Sequence, residues 1–369
     1  MATPKETNLP GIPTFDHPQR DDLLKDADPE IQRVAEDLHR DGYAVIDFPD
    51  PGIDGLMEEI RTALTPRFDF GHWREKLWPV SDGLRLQDLW QEVEAVHRIA
   101  CNERVLQILS AVFGRKAFPF QTLNFPVGTQ QTLHSDAAFF SSVPDGFMCG
   151  VWLAFEETDE GNGALQYAPG SHRTPLLTND LIGMRATGGD QRKLQERLAF
   201  AWQDLVHGNG YSPEIFKAKK GQALIWSAHL LHGGSRHADI DRTRWSQVTH
   251  YYFEDCLYWT PSYSDVFEGH TYVRAPFNIV TGESEESTYL GRSVPASESP
   301  AKPAARPAGN LVEKAVRRVA RRVAAHSVAL AEGFDREAYL AANPDVRESG
   351  VSPKQHWIRH GYREGRKLR

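Results

Sequence analysis

Three His-x-Asp triplets stand in the 369-residue chain: His39/Asp41, His134/Asp136 and His237/Asp239. An imidazole and a carboxylate two residues apart can share one side of an extended backbone and bind one divalent ion. The chain has 15 histidines, so the spacing alone proves little and context must separate the three. His39 and Asp41 close an amphipathic run and read as charges at a helix end. His237 and Asp239 stand in the polar stretch "SRHADIDRTR" and read as loop charges. His134 and Asp136 follow the strand and turn "AFPFQTLNFPVGTQQ" and precede apolar "AAFF", so they can converge at the mouth of a barrel. A second His from a distant strand completes a two-His-one-carboxylate set, which leaves open positions at non-haem Fe(II). "LIWSAHLLHGG" offers His229 and His232, which face opposite ways on a strand. His232 adjoins Gly233 and Gly234, where small residues let a ligand approach. His229 reads as its packed or hydrogen-bonded neighbour. On the following strand, Arg244 and Ser246 make a fork for a small dicarboxylate, because guanidinium pairs bidentately with carboxylate. The other reading of Arg244 is a salt bridge between strands.

These groups need a scaffold. "DPEIQRVAEDLHRDG" has helical spacing (Ile31, Val34, Ala35, Leu38) and stops at Gly42. "YAVIDF" follows as a strand and "GIDGLMEEIRTAL" as a second helix. "EAVHRIACNERVLQILSAVFG" reads as one or two helices ending at Gly114. The pattern then changes to short β-branched and aromatic strands bounded by Gly, Pro and Asp. Helices followed by many strands predict an α+β chain with a jelly-roll sandwich or barrel. Residues 173–220 interrupt the strands with one predicted helix, the usual form of a lid or binding loop. Together with the aromatic stretch 68–91 they are the expected substrate selectors.

Residues 283–309 are rich in Ser, Pro, Ala and Glu and read as a linker. Residues 310–369 carry 13 Lys and Arg against 7 Asp and Glu; with a net charge of −8 overall, the remainder holds −14. An acidic body gives no reason to propose nucleic acid as partner. The tail opens with a predicted basic amphipathic helix, Val312, Val316, Val319 and Val323 on one side and arginines across the other. That face predicts packing on a neighbour, or a membrane-surface or protein partner. Cys101, Cys149 and Cys256 are far apart and read as core thiols in a reducing compartment. With no signal-type segment and no apolar run of transmembrane length, the expected address is the cytoplasm.

"TLHSD", "VWLAFEETDEGNGALQYAPGSH", "KKGQALIWSAHLLHGGS" and "RTRWSQVTHYYF", in that order, resemble the phytanoyl-CoA dioxygenase family over roughly residues 30–280. The resemblance implies an oxygenase domain within 1–282, on a double-stranded β-helix core (jelly-roll, cupin-like) with N-terminal helices; the tail, 310–369, reads separately as a small all-α module. It implies Fe(II) and 2-oxoglutarate as cofactor and cosubstrate, with O2 as oxidant. It makes His134, Asp136 and His232 the metal ligands and catalytic set. Arg244 would hold the distal carboxylate, with Trp152, Ser246, Gln131 and Thr132 as further cosubstrate contacts. "APGSH" (168–172) is a hallmark read as a structural turn. The tail, "YLAANPDV" through "HWIRHGYREGR", is similar to modules attached to bacterial glycosyltransferases and envelope polysaccharide proteins; His356 and His360 in it read as structural.

The implied activity is hydroxylation of a small molecule, a sugar or envelope-glycan intermediate on the hint of the tail. Related halogenases lack the carboxylate ligand, so Asp136 favours hydroxylation. Desaturation, epimerisation or cyclisation in secondary metabolism are the alternatives within the family. Outside it stand a non-catalytic metal-binding scaffold targeted by the tail, and a zinc protein on the same fold.

Overall fold

A computed structural model describes residues 8–75, 85–185, 191–297, 334–348 and 352–357. Its helices begin with α1 (Arg20–Leu24) and α2 (Pro29–Asp41). Asp28 starts α2 by accepting from the Ile31 amide at 3.1 Å, Pro29 occupies the first turn, and Gly42 ends it at φ +84°. Next come α3 (Ile53–Leu64), α4 (Phe70–Glu75), α5 (Glu94–Ala100) and α6 (Glu103–Phe113). Asn102 caps α6 through the Val105 amide, and Gly114 closes it at φ +79°. The 173–220 insertion contributes α7 (Gln191–Gly208).

The strands are β1 (Tyr43–Asp47), β2 (Leu86–Gln87), β3 (Ala117–Phe125), β4 (Ser141–Val143), β5 (Met148–Ala154), β6 (Leu165–Tyr167), β7 (Glu214–Ile215), β8 (Gln222–Ser227), β9 (His232–Gly234), β10 (Ser246–Phe253) and β11 (Leu257–Trp259). Six form an antiparallel sheet in the order β1-β8-β5-β10-β3-β2. Three more form a smaller antiparallel sheet, β7-β6-β9, and β4 pairs with β11.

Alternation divides the large sheet's side chains between two cores. Ala44, Ile46, Val151, Leu153, Ala223 and Ile225 pack against the helices. Tyr43, Val45, Trp152, Leu224, Trp226 and Val248 face the other way and meet Leu165 and Tyr167 of the small sheet. Polar side chains projecting into this second core are therefore enclosed between two sheets.

Residues 283–297 differ from the expected linker. Glu283–Ser284 pairs with Phe277–Asn278, and Ser287–Tyr289 with Arg292–Val294. The buried Ser287 hydroxyl accepts from the Tyr258 amide and donates to Arg274 O, while the Thr288 amide donates to Cys256 O. A serine that reads as solvated linker thus satisfies backbone groups of the fold.

The chain divides into two compact units, Met1–Ser297 and Glu298–Arg369. In the second, helices Arg336–Ala342, Pro344–Glu348 and Pro353–His356 gather a small core of Tyr339, Val346 and Trp357. His356 Nδ1 lies 3.0 Å from the Tyr339 hydroxyl. The predicted basic helix and His360 lie outside the described residues. Among the described residues, no helix is long and apolar enough to cross a membrane.

Candidate metal centre

His134 and His232 face each other across a reciprocal backbone pair. The His134 amide donates to His232 O at 2.9 Å, and the His232 amide returns a bond to His134 O at 3.0 Å. Beta-carbons at Gly233 and Gly234 would run into the backbone of Gln130 to Thr132. Those glycines make room for the segment that carries His134, rather than for a ligand. Asp136 is not on a strand with His134, as simple alternation predicts; it opens a 3-10 turn, Asp136–Ala138. The Ser135 hydroxyl and the Ala137 amide both donate to Ala228 O, and this clamp turns the carboxylate inward.

One ligand atom from each of His134, Asp136 and His232 lies within 4.8 Å of the others. Nε2 of His134 is 3.8 Å from Asp136 Oδ1, and Nε2 of His232 is 3.6 Å from Oδ2. Each imidazole has Nδ1 3.0 Å from a backbone carbonyl, Thr132 O for His134 and Leu230 O for His232. A carbonyl can only accept, so both Nδ1 atoms carry the proton and both Nε2 lone pairs point at the cluster. Burial pushes His134 down to about 4, helped by the adjacent His232, and burial lowers His232 also. Burial alone would raise Asp136; His232, His250 and His134 outweigh it and hold the carboxylate well below its usual range. At neutral pH the set is two neutral imidazoles and a carboxylate, the protonation state a divalent metal requires.

Two residues unassigned from sequence adjoin Asp136. Trp226 Nε1 donates to Oδ2 at 2.9 Å, and His250 Nε2 lies 3.5 Å from the same atom. The indole lies in space that a side chain at Gly150 would fill. Gln121 Oε1 is 2.9 Å from His250 Nδ1. The available signal was period two: His250 is an even number of residues from Arg244 and Ser246 and shares their face.

Arg244 precedes β10, tied by its amide to Pro126 O at 3.0 Å. Its buried guanidinium donates from Nη1 to Ser246 Oγ at 2.7 Å and reaches Val127 O from Nη2 at 3.5 Å. It lies over the rings of Trp152 and Phe125 at 5.4 and 5.7 Å. Among the described residues, Nε has no hydrogen-bond partner and no carboxylate is in ion-pair range. Glu156, whose field reaches it, is engaged by Thr243 and the Trp245 amide. Burial lowers Arg244 to about 10, so it stays cationic at neutral pH.

Of the other named candidates, Gln131 is exposed and its amide lies 3.4 Å from His134 Nε2. Thr132 is also exposed and supplies its backbone carbonyl to His134. His229 turns away to Asp145 at 3.0 Å. His39 pairs with Asp16, and His172 Nε2 reaches His39 O. His237 is more than a loop charge: it is buried, with Nδ1 accepting from the Gly128 amide and Nε2 donating to Arg242 O. From the insertion, α7 packs Leu194, Leu198 and Trp202 against Ala138 and Leu231, with Trp202 6.3 Å from the His134 ring. Of the described aromatics of 68–91, Phe68 and Trp73 pack on Val127, whose carbonyl Arg244 Nη2 reaches, and Trp90 on Phe277.

The lowered histidine pKa sets a pH dependence. The unfolded chain binds a proton at His134 near the ordinary 6.5, whereas the folded chain does so only near 4. Folding stability therefore rises with pH across that window, and is lost as pH falls through it. His172, also pushed down to about 4 by burial, adds the same sign. Thermal melts of metal-free protein are expected to show a falling Tm from about pH 6.5 to 4, and metal affinity measured by titration should decline in parallel.

Residues 38–243 match the family described as Phytanoyl-CoA dioxygenase (PhyH). Among curated proteins, the chain is 27% identical over 132 residues to phytanoyl-CoA dioxygenase domain-containing protein 1 of Danio rerio, covering 32% of this chain and 43% of that one. The match thus spans less than half the length of that relative. Among solved structures, it is similar to the non-heme alpha ketoglutarate dependent carbocyclase SnoK from nogalamycin biosynthesis (14% identity, TM-score 0.48, 64% of this chain and 88% of that chain). It is similar also to the epimerase SnoN in complex with Fe3+, alpha ketoglutarate and nogalamycin RO (18% identity, TM-score 0.47, 63% and 87%).

Proposed function

The chain belongs to the phytanoyl-CoA dioxygenase family, and from that premise we propose that it is an Fe(II)- and 2-oxoglutarate-dependent dioxygenase that hydroxylates a small molecule. The observation that carries this reading is Arg244: a buried, fully charged guanidinium without a carboxylate partner among the described residues, one strand period before Ser246 at the start of the strand that carries His250 beside the metal cluster. Burying such a charge unpaired costs several kcal/mol, which a small dicarboxylate would offset. We read the two packed sheets as a double-stranded β-helix.

His134, Asp136 and His232 would hold the iron, and the fit is favourable because both Nε2 lone pairs are already oriented at the cluster. When bound, iron and 2-oxoglutarate couple oxidative decarboxylation of the cosubstrate to substrate oxidation by O2. Arg244 would take the distal carboxylate, Ser246 adding its hydroxyl proton, with Trp152 as the apolar wall. The Trp226 N–H keeps the carboxylate ligand in one orientation. Trp202 and Phe139 cover the His134 side and limit water there. Asp136 occupies the ligand position that a halide would need, which favours hydroxylation over halogenation.

The tail's resemblance suggests a sugar or envelope-glycan intermediate as substrate, with residues 310–369 as a targeting module. Three free thiols suggest the cytoplasm. The test is a small-molecule screen read as succinate release with Fe(II), O2 and 2-oxoglutarate. Wild type is expected to release succinate and His134→Ala to fall to background; a wild-type protein that neither binds nor consumes 2-oxoglutarate would refute the reading.

A further inference from the structure

Three arginines have a buried Nε without a hydrogen-bond partner among the described residues: Arg61, Arg244 and Arg274. Arg61 has Glu156 at 4.0 Å and donates to Phe155 O. Arg244 serves the proposed cosubstrate site. Arg274 remains unexplained. Its guanidinium lies 4.9 Å from the centre of the Phe140 ring, and Nη1 donates to the buried Thr260 hydroxyl at 2.9 Å. The Nε–Nη2 edge meets no acceptor, and no carboxylate is in ion-pair range, among the described residues. That edge is the one that pairs side-on with an oxyanion.

Its position ties it to the metal cluster. The Phe140 amide donates to Asp136 O at 2.8 Å, so the ring supporting Arg274 belongs to the turn that carries the carboxylate ligand. The same ring meets His250, 5.4 Å away between centroids, and His250 lies 3.5 Å from Asp136 Oδ2. The Tyr252 hydroxyl feels both Arg274 and Asp136. Arg244 lies before the first residue of β10, whereas the Arg274 amide donates to Tyr258 O at 2.7 Å, beyond its last, so the two guanidiniums without a carboxylate partner among the described residues belong to segments at opposite ends of the strand.

We propose that Arg274 anchors the primary substrate through an oxyanion, a carboxylate or a phosphate, and thereby holds its reacting carbon beside the Asp136 cluster. This rests on the oxygenase reading and narrows its substrate class to anions. Thr260 fixes the fork from one side and Phe140 supports its face, so the guanidinium is oriented before a ligand arrives.

The test uses full-length protein loaded with Mn(II) and saturating 2-oxoglutarate, titrated with inorganic phosphate and, separately, acetate at constant ionic strength. Binding is read as the ligand-dependent rise in Tm, taken as the difference between wild type and variant so that general salt effects cancel. Arg274→Met removes the charge, and Arg274→Gln also keeps a donor for Thr260 in case the first variant folds poorly. Wild type is expected to bind one of the anions, and both variants to bind it roughly tenfold more weakly or worse, with 2-oxoglutarate affinity unchanged. Loss confined to phosphate assigns a phosphorylated substrate, and loss confined to acetate a carboxylic acid. Equal response of wild type and Arg274→Gln, or no response to either anion, overturns the proposal. Wild type unable to bind 2-oxoglutarate would instead overturn the oxygenase reading, and this assignment with it.

Discussion

Asp136→Ala is expected to abolish turnover and weaken divalent-metal affinity by more than about 100-fold. Loss of a partner that merely orients a ligand typically costs ~10–100-fold in affinity, and Asp136 would be a ligand itself. It is also the group on which the site converges. Trp226 Nε1 donates to it, and Nε2 of His250 and of His232 lie within 3.6 Å of the same oxygen. Alanine leaves the Trp226 N–H without an acceptor, at a cost of about 1–3 kcal/mol. Asp136→Asn separates the two roles: it keeps an oxygen for Trp226 but loses the charge. Both variants are therefore expected to lose metal, measured by titration calorimetry and by metal content after anaerobic loading. Only the alanine variant should also lose substantial thermal stability. Full metal affinity in Asp136→Asn would remove Asp136 from the ligand set.

Arg244→Met carries the second large effect, and its two parts have opposite signs. Methionine replaces a buried charge with an apolar chain of similar length, next to Trp152 and Phe125. Such exchanges are often neutral or stabilising by about 1–4 kcal/mol, so the ligand-free variant should melt at or above the wild-type temperature. Its affinity for 2-oxoglutarate should fall by about 30-fold or more, because removing one partner of a buried charged pair costs roughly 2–5 kcal/mol. Arg244→Lys should recover only part of that affinity, since an ammonium lacks the fork that Ser246 helps to orient. A stable variant with unchanged 2-oxoglutarate affinity would show that the guanidinium serves another purpose.

Local rules carried much of the architecture. Asp28 and Pro29 open a helix and Gly42 ends it because capping and left-handed termination depend on adjacent residues. The switch from helical to strand patterning after Gly114, and the helix within the insertion, were legible for the same reason. The linker reading from 283 was misled by composition: serine and glutamate look solvated, but Ser287 has its hydroxyl buried among backbone groups of Tyr258 and Arg274. The 68–91 aromatics are legible by their type, but not that Phe68 and Trp73 share a cluster with Val127, 59 and 54 residues away.

The candidate site divides along the same line. By itself, the sequence determined the residue types: which imidazoles and carboxylate adjoin strand-like context, and an arginine spaced from a serine by one strand period. Those depend on neighbours in the chain. Only the tertiary structure decided how they are held. The His134 and His232 backbones pair reciprocally although 98 residues separate them. Trp226 and His250 reach Asp136 from β8 and β10, which flank β5 in the large sheet. Arg274 meets the turn that bears Asp136 through Phe140. Spacing along the chain reports which side chains can share a face; which faces meet is set by sheet order and by burial, and neither is local.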